Sequence, residues 1–399
     1  MFGIPLTLRT ALGAVTLAGC IVGTNGALAE SHSPSLVTQW LNGETPYDGP
    51  EITYDGPPVT VRFSTFVAPS GTTADTNWVK AFDRLAKDTN GKLIIKPFWS
   101  SSLADAQRGA FEAVSTGVAQ MSSCYAIMSP AGLDLQMGLQ MPFFVTRSTA
   151  SAMAIQEIYA KYLRDSYEAK GVYLARAGTT PPNQLLTTGD PIRTLEDMKG
   201  KKVWGIGSVP TAVLQALGSV PVPLSPADLY QSMQSGVTDV TPMHDAGAKF
   251  FRLDELAKTH TAANLTGSPV EYCINKAFFD GLPSDLKGAF YLWLQKWNFV
   301  DMELYFDGDA AATREQMAAN GVEMIELPQE EMQRWKEATQ PVVEAWIAEN
   351  EAKGLPARQF IEDYLALTAK YEAMSDNELF QQIVDTPFPD LISSYEMAE

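Results

Sequence analysis

Residues 59–66, VTVRFSTF, alternate apolar and polar positions with the two-residue period of a half-buried strand. Beyond a short loop the period changes. Trp78, Phe82 and Leu85 recur at spacings of three and four, which predicts a helix with one apolar stripe, stopped at Gly91. A second strand is predicted at 92–98 (KLIIKPF) and a second helix at 104–116, with Phe111 and Val114 inward and Gly117 as its stop. Strand and helix in alternation argue for a parallel sheet covered by helices. The order then recurs: 171–176, 184–188 and 202–204 read as strands, and 210–217 as a helix ended by Gly218. Ser225-Pro226-Ala227-Asp228 is a helix start with Ser225 as its cap, and 272–275 returns to strand. A second α/β lobe is therefore expected.

After Pro283 a helical pattern runs to roughly Gly321, about 50 Å of helix at 1.5 Å per residue. That is longer than one lobe needs, so the helix is expected to run across both lobes and brace them, with Gly308 as its candidate break. From Pro328 to about Met374 the chain is amphipathic helix again, with Trp335, Val342, Val343, Trp346 and Ile347 as the apolar set.

The amino terminus reads as an export signal. Residues 1–9 carry one positive charge and no acid, 11–22 are apolar, and Ala27-Leu28-Ala29 is a small-x-small cleavage site. Leu17-Ala18-Gly19-Cys20 competes with it as a lipoprotein box that would lipidate Cys20. Residues 30–57, rich in Pro, Gly, Ser and Asp, predict an extended arm. No later stretch approaches the roughly 18 uninterrupted apolar residues of a membrane span.

Composition narrows the chemistry. The chain has 399 residues, 45% of them hydrophobic and 19% charged, the balance of a folded protein with a sizeable core. Its net charge of −18 leaves no basic surface to track a phosphate backbone, so a nucleic-acid partner is not expected. Beyond Cys20 there are two cysteines, Cys124 and Cys273, which form either one bridge or two buried small apolar side chains. His32, His244 and His260 show no metal-ligand spacing, so no metal is expected. No cofactor is expected either: Gly205-Ile206-Gly207 starts like a dinucleotide loop, but Pro210 stands where the third glycine belongs.

Five segments carry a resemblance: FEAVSTGVAQM (111–121), PFF (142–144), PIRTLEDMKGKKV (191–203), ALGSVPVPLSPADLYQSMQSGVTD (216–239) and INKAFFDGLPSDL (274–286). Together, in this order and after an export signal, they make the chain similar to the solute-binding proteins of tripartite ATP-independent periplasmic (TRAP) transporters over roughly 59–371. The resemblance implies a two-lobed periplasmic-binding-protein-like α/β fold with an interlobe cleft and a long helix spanning both lobes. It further implies a periplasmic receptor, without catalysis, that delivers a small organic solute to membrane subunits; a monomer is expected. On that pattern residues 1–29 are the signal peptide, 30–57 the arm, 58–173 and 267–300 the first lobe and 174–266 the second. Residues 301–399 supply the end of the spanning helix and helices packing on both lobes.

The chain departs from the family where its ligand anchors belong. Members place an arginine two positions after the lysine of the GxK segment to grip a substrate carboxylate; here Trp204 stands there. A second arginine, about twenty residues earlier, is replaced by Asn183 and Gln184, and an asparagine after the next acidic turn by the segment leading to His244 and Asp245. Indole offers one N–H and a π face where guanidinium offers a planar fork of donors, so the exchange alters chemistry as well as size. Trp204 is expected to stack on the ligand or face a cation, or else to be a core residue. Asp245 and His244 suit an amine or hydroxyl, and Asn183 and Gln184 a neutral polar group. Phe66, Tyr125 and Phe144 stand at ends of segments that line the cleft in the family. Arg108 and Arg176 are the available substitutes for a lost carboxylate anchor. The expected solute is neutral, zwitterionic or amine-bearing; a carboxylate held by a relocated arginine is the alternative. An exported α/β hydrolase is the competing class, with only His244 or His260 to act as base and no G-x-S-x-G elbow.

Overall fold

The computed structural model describes residues 34–397 apart from 70, 107, 108, 129 and 130, so the signal segment, Cys20 and Arg108 lie outside the described residues. Eleven strands follow in chain order among them: β1 (Val59–Ser64), β2 (Leu93–Phe98), β3 (Met121–Ser123), β4 (Val172–Arg176), β5 (Gln184–Thr187), β6 (Lys202–Trp204), β7 (Val220–Val222), β8 (Val240–Met243), β9 (Thr259–Ala262), β10 (Tyr272–Asn275) and β11 (Glu323–Glu326).

They form two sheets. The first has the order β2-β1-β3-β10-β4 and the second β11-β9-β5-β8-β6-β7, giving two α/β lobes. Strand–helix alternation yields the parallel pairs β1 with β2 and β3, and β6 with β7 and β8. It does not predict β10, which runs antiparallel to both β3 and β4, because β4 and β10 are the strands by which the chain leaves the first lobe and returns to it. Between the lobes the outgoing and returning segments are hydrogen-bonded: Thr180 N–H donates to the Ser268 carbonyl at 2.8 Å, Val270 N–H to that of Gly178 at 2.9 Å and Asn183 N–H to that of Thr266 at 3.0 Å.

The helix Thr73–Asp88 starts on a reciprocal capping box between Thr72 and Asp75 and buries Trp78, Phe82 and Leu85 against the first sheet's core. Burial of such side chains contributes about 1.5–3 kcal/mol each. The helix expected at 104–116 is shorter, Ala110–Ser115. The long helix runs from Ser284 to Ala319 without interruption, and Gly308 does not break it: Ser284–Val300 is α-helical, Asp301–Gly308 is wound as a π-helix, and Asp309–Ala319 resumes the α-helix. Its first part packs on Thr73–Asp88 and β4 in the first lobe and its last part on the helix Asp245–Phe250 in the second. The π-helical stretch sits between, at the level of the cleft.

Residues 35–57, expected as an extended arm, carry a short helix, Leu36–Leu41, and lie packed on the first lobe. Buried Arg84 donates to the Trp40, Thr45 and Pro46 carbonyls, Asp285 accepts the N–H groups of Thr53 and Tyr54, and buried Lys296 pairs with Asp48. Helices Gln329–Ala352, Ala357–Glu372 and Asp376–Asp385 close the chain. Cys124 and Cys273 form a disulfide, resolving the alternatives left open by the sequence. No helix among the described residues is long and apolar enough to cross a membrane.

Candidate ligand-binding site

A cavity of about 200 Å³ lies between the lobes. The first lobe supplies Phe66, just past the end of β1, Trp78 from its helix, Tyr125 following β3, Arg176 at the end of β4 and Tyr272 in β10. The second supplies Trp204 at the end of β6, Met243 and His244 at the end of β8, and Gly247, Phe250 and Phe251. The π-helical stretch adds Asp301, Tyr305 and Phe306, and the crossing segments add Thr180, Asn183 and Ser268. Rings of opposite lobes meet edge to face, Phe66 to Phe250 with centroids 6.3 Å apart.

Among the described residues Arg176 is the one Lys or Arg on the cavity wall, and it is already matched. Its Nη1 is ion-paired with Asp301, whose other carboxylate oxygen accepts the Trp78 indole N–H at 2.8 Å. The guanidinium carbon lies 4.2 Å from the Tyr272 ring centre, and Nε has no acceptor among the described residues. Burial pulls the Arg176 pKa down, against the Tyr272, Tyr125 and Tyr305 hydroxyls, but a guanidinium stays charged in proteins. Arg176 and Asp301 therefore add nothing to the cavity's net charge.

Trp204 spends its indole N–H on the Leu224 carbonyl at 3.1 Å, leaving its ring face as what it can offer. The ring also borders a side pocket of about 40 Å³ with Ile127, Pro210, Leu214 and Leu265. His244 caps the helix Asp245–Phe250: its Nδ1 accepts the Gly247 N–H at 3.0 Å. A β-carbon on Gly247 would stand 2.8 Å from His244 Nε2, so glycine is what lets the imidazole lie there. Desolvation, opposed by the Asp245 charge, lowers the His244 pKa to about 4, so the ring is neutral near pH 7.

Three expected ligand contacts are not on the cavity wall. Asp245 is buried, accepting from Arg314 Nε and Nη2 at 3.0 and 2.8 Å and bonded to His260 Nε2 at 2.8 Å; its neighbours already hold both oxygens. Gln184 is turned into the second lobe, bonded to Asn264 and the Pro182 carbonyl. Phe144 packs against the core. The cavity instead gathers Trp78, Phe250, Phe251, Tyr272, Asp301, Tyr305 and Phe306, none of which was singled out as a ligand contact. Asp301 carried a signal: it is an acid inside the apolar run WNFVDMELYF. Among the described residues no cluster of His, Cys, Asp and Glu could hold a metal ion.

Residues 63–350 match the bacterial extracellular solute-binding proteins, family 7. The chain belongs to that family. These are the solute-binding proteins of TRAP transporters. Among the relatives is the C4-dicarboxylate-binding periplasmic protein DctP of Rhodobacter capsulatus, 28% identical over 293 residues that cover 71% of this chain and 85% of that one. The fold is shared with a TRAP solute-binding protein of Rhodoferax ferrireducens solved with copurified benzoate, at a TM-score of 0.72 and 23% identity, covering 79% of this chain and 99% of that one. It is shared as well with a marine metagenome TRAP protein specific for aromatic acid ligands, solved with 3-hydroxybenzoate, at a TM-score of 0.72 and 21% identity over 79% of this chain and 100% of that one. With membership of a solute-binding family, the hydrolase alternative has no support.

Proposed function

We propose that this TRAP receptor binds a small ring-bearing solute of no net charge in the aromatic cavity and hands it to membrane subunits. The single observation that carries the reading is a wall of nine aromatic side chains in which the only guanidinium among the described residues is already neutralised by Asp301. Stacking and apolar burial reward a flat ring. A carboxylate entering such a site brings a charge that nothing balances, and desolvating an unpaired ion costs several kcal/mol. The Trp204 side chain, standing where the resemblance puts the family's arginine, supports the same preference. Export after cleavage near Ala29 and a monomeric receptor belong to the proposal, on the strength of the signal-like residues 1–29 and the family's periplasmic role. A second reading, an aromatic monocarboxylate gripped by Arg176, is favoured by the free Nε and by the aromatic acids held by relatives of the same fold.

A thermal-shift screen tests the proposal. A ligand at 100 times its Kd adds about 2.7 kcal/mol to the folded state. Neutral and zwitterionic ring compounds are expected to raise the melting temperature and succinate to leave it unchanged. An equal response to succinate would contradict the proposal.

A further inference from the structure

His244 lines the cavity, its ring centre 5.8 Å from that of Phe306. It stands at the start of the helix Asp245–Phe250, where the first N–H groups have no partner within the helix. Nδ1 fills that need by accepting the Gly247 N–H at 3.0 Å. A nitrogen that accepts from an N–H carries no proton of its own, so the proton of the neutral ring sits on Nε2. Nε2 has no acceptor among the described residues, and both His244 and Gly247 line the cavity. Gly247 keeps the place beside Nε2 clear, since any side chain there would overlap it. Asp245, held by Arg314 of the spanning helix and His260 of β9, fixes the helix on which this arrangement depends.

We infer that His244 is a specificity-determining residue that donates from Nε2 to a hydrogen-bond acceptor on the solute, selecting a carbonyl-type oxygen over an amine at that end of the cavity. This rests on the cavity being the solute site. An amine would bring a donor to face a donor, leaving both groups desolvated and unpaired. The inference narrows the solute class from neutral, zwitterionic or amine-bearing to ring compounds that carry a carbonyl-type acceptor.

The test uses the full exported chain labelled with ¹⁵N, whose three histidines at most, His32, His244 and His260, make assignment direct. Imidazole ¹⁵N spectra are expected to show His244 unprotonated at Nδ1 and protonated at Nε2, and added benzamide is expected to shift the Nε2 resonance. His244→Asn retains a side-chain oxygen to cap the Gly247 N–H, and is expected to weaken benzamide about tenfold by calorimetry while leaving the melting temperature of the free protein within a few degrees. Benzylamine is expected to bind more weakly than benzamide to the wild type, and the gap is expected to close in the variant. A proton on Nδ1, or benzamide bound with Nε2 unmoved and its affinity unchanged in His244→Asn, would overturn the role of His244 alone. No binding of benzamide at all would overturn the cavity reading and this one with it.

Discussion

Asp301 accepts the Trp78 indole N–H with one carboxylate oxygen and pairs with Arg176 through the other, joining the spanning helix to the first lobe beneath one aromatic wall. A buried pair of this kind contributes little net stability over apolar residues of the same volume, whereas breaking it by removing one partner costs about 3–5 kcal/mol. On the proposed reading the pair has a second consequence: it sets which charge the cavity admits.

Asp301→Asn is therefore expected to destabilise the free protein by about 3–5 kcal/mol and to make it an anion binder, because Arg176 is left without a counter-charge. Chemical denaturation with and without benzoate checks this. Benzoate should recover stability in the variant and give none to the wild type.

Trp204→Ala removes a ring face whose N–H is already committed to Leu224, so what it loses is stacking and apolar area. An aromatic contact gives about 0.5–1.5 kcal/mol beyond the area it buries. Calorimetry is expected to show a ring-bearing neutral ligand weakened by tenfold or more. Unchanged affinity would return Trp204 to the role of a core residue.

Stability should fall as pH rises from 5 to 7.5. Burial lifts the Glu271 and Glu303 carboxyls to about 7 and that of Asp307 to about 6, so the folded chain holds protons that the unfolded chain has lost above pH 4.5. Stability from these groups is complete below their unfolded pKa values and is lost as pH passes through the folded ones. His244 works the other way, favouring the fold as pH climbs from about 4 to 6.5, but it is one group against three. Urea denaturation across this range checks the slope, and Glu271→Gln should flatten it.

The Cys124–Cys273 disulfide closes a loop spanning 149 positions and joins the end of β3 to its neighbour β10. Removing a native bridge costs about 2–5 kcal/mol in small secreted domains. The double serine variant is expected to lose stability within that range by denaturation, with its ligand affinity unchanged, since neither sulfur lines the cavity.

Periodicity made the first lobe legible, because β1 and Thr73–Asp88 each bury mainly one face, whereas the spanning helix was legible from its length, Ser284–Val300 being buried on nearly all sides. Periodicity did not reveal β10 as an antiparallel return strand, since strand direction is set by where the chain crosses between lobes and not by side-chain pattern. Trp204, His244, Asn183, Phe66, Tyr125 and Arg176 stand on the cavity wall, whereas Asp245 and Gln184 turn into the second lobe to satisfy buried partners. Trp78 and Tyr272 were invisible as wall residues for a physical reason: an aromatic ring lining a cavity carries the same sequence pattern as one filling a core.

Charge is what separates the two readings of the cavity, and two nearly isosteric ligands isolate it. Benzamide and benzoate share a ring and a carbonyl and differ by one negative charge, so calorimetry of both on the wild-type protein reads directly whether Asp301 has already claimed Arg176. Benzamide is predicted to bind at least tenfold more tightly; benzoate binding more tightly than benzamide would contradict the account and establish Arg176 as a carboxylate anchor.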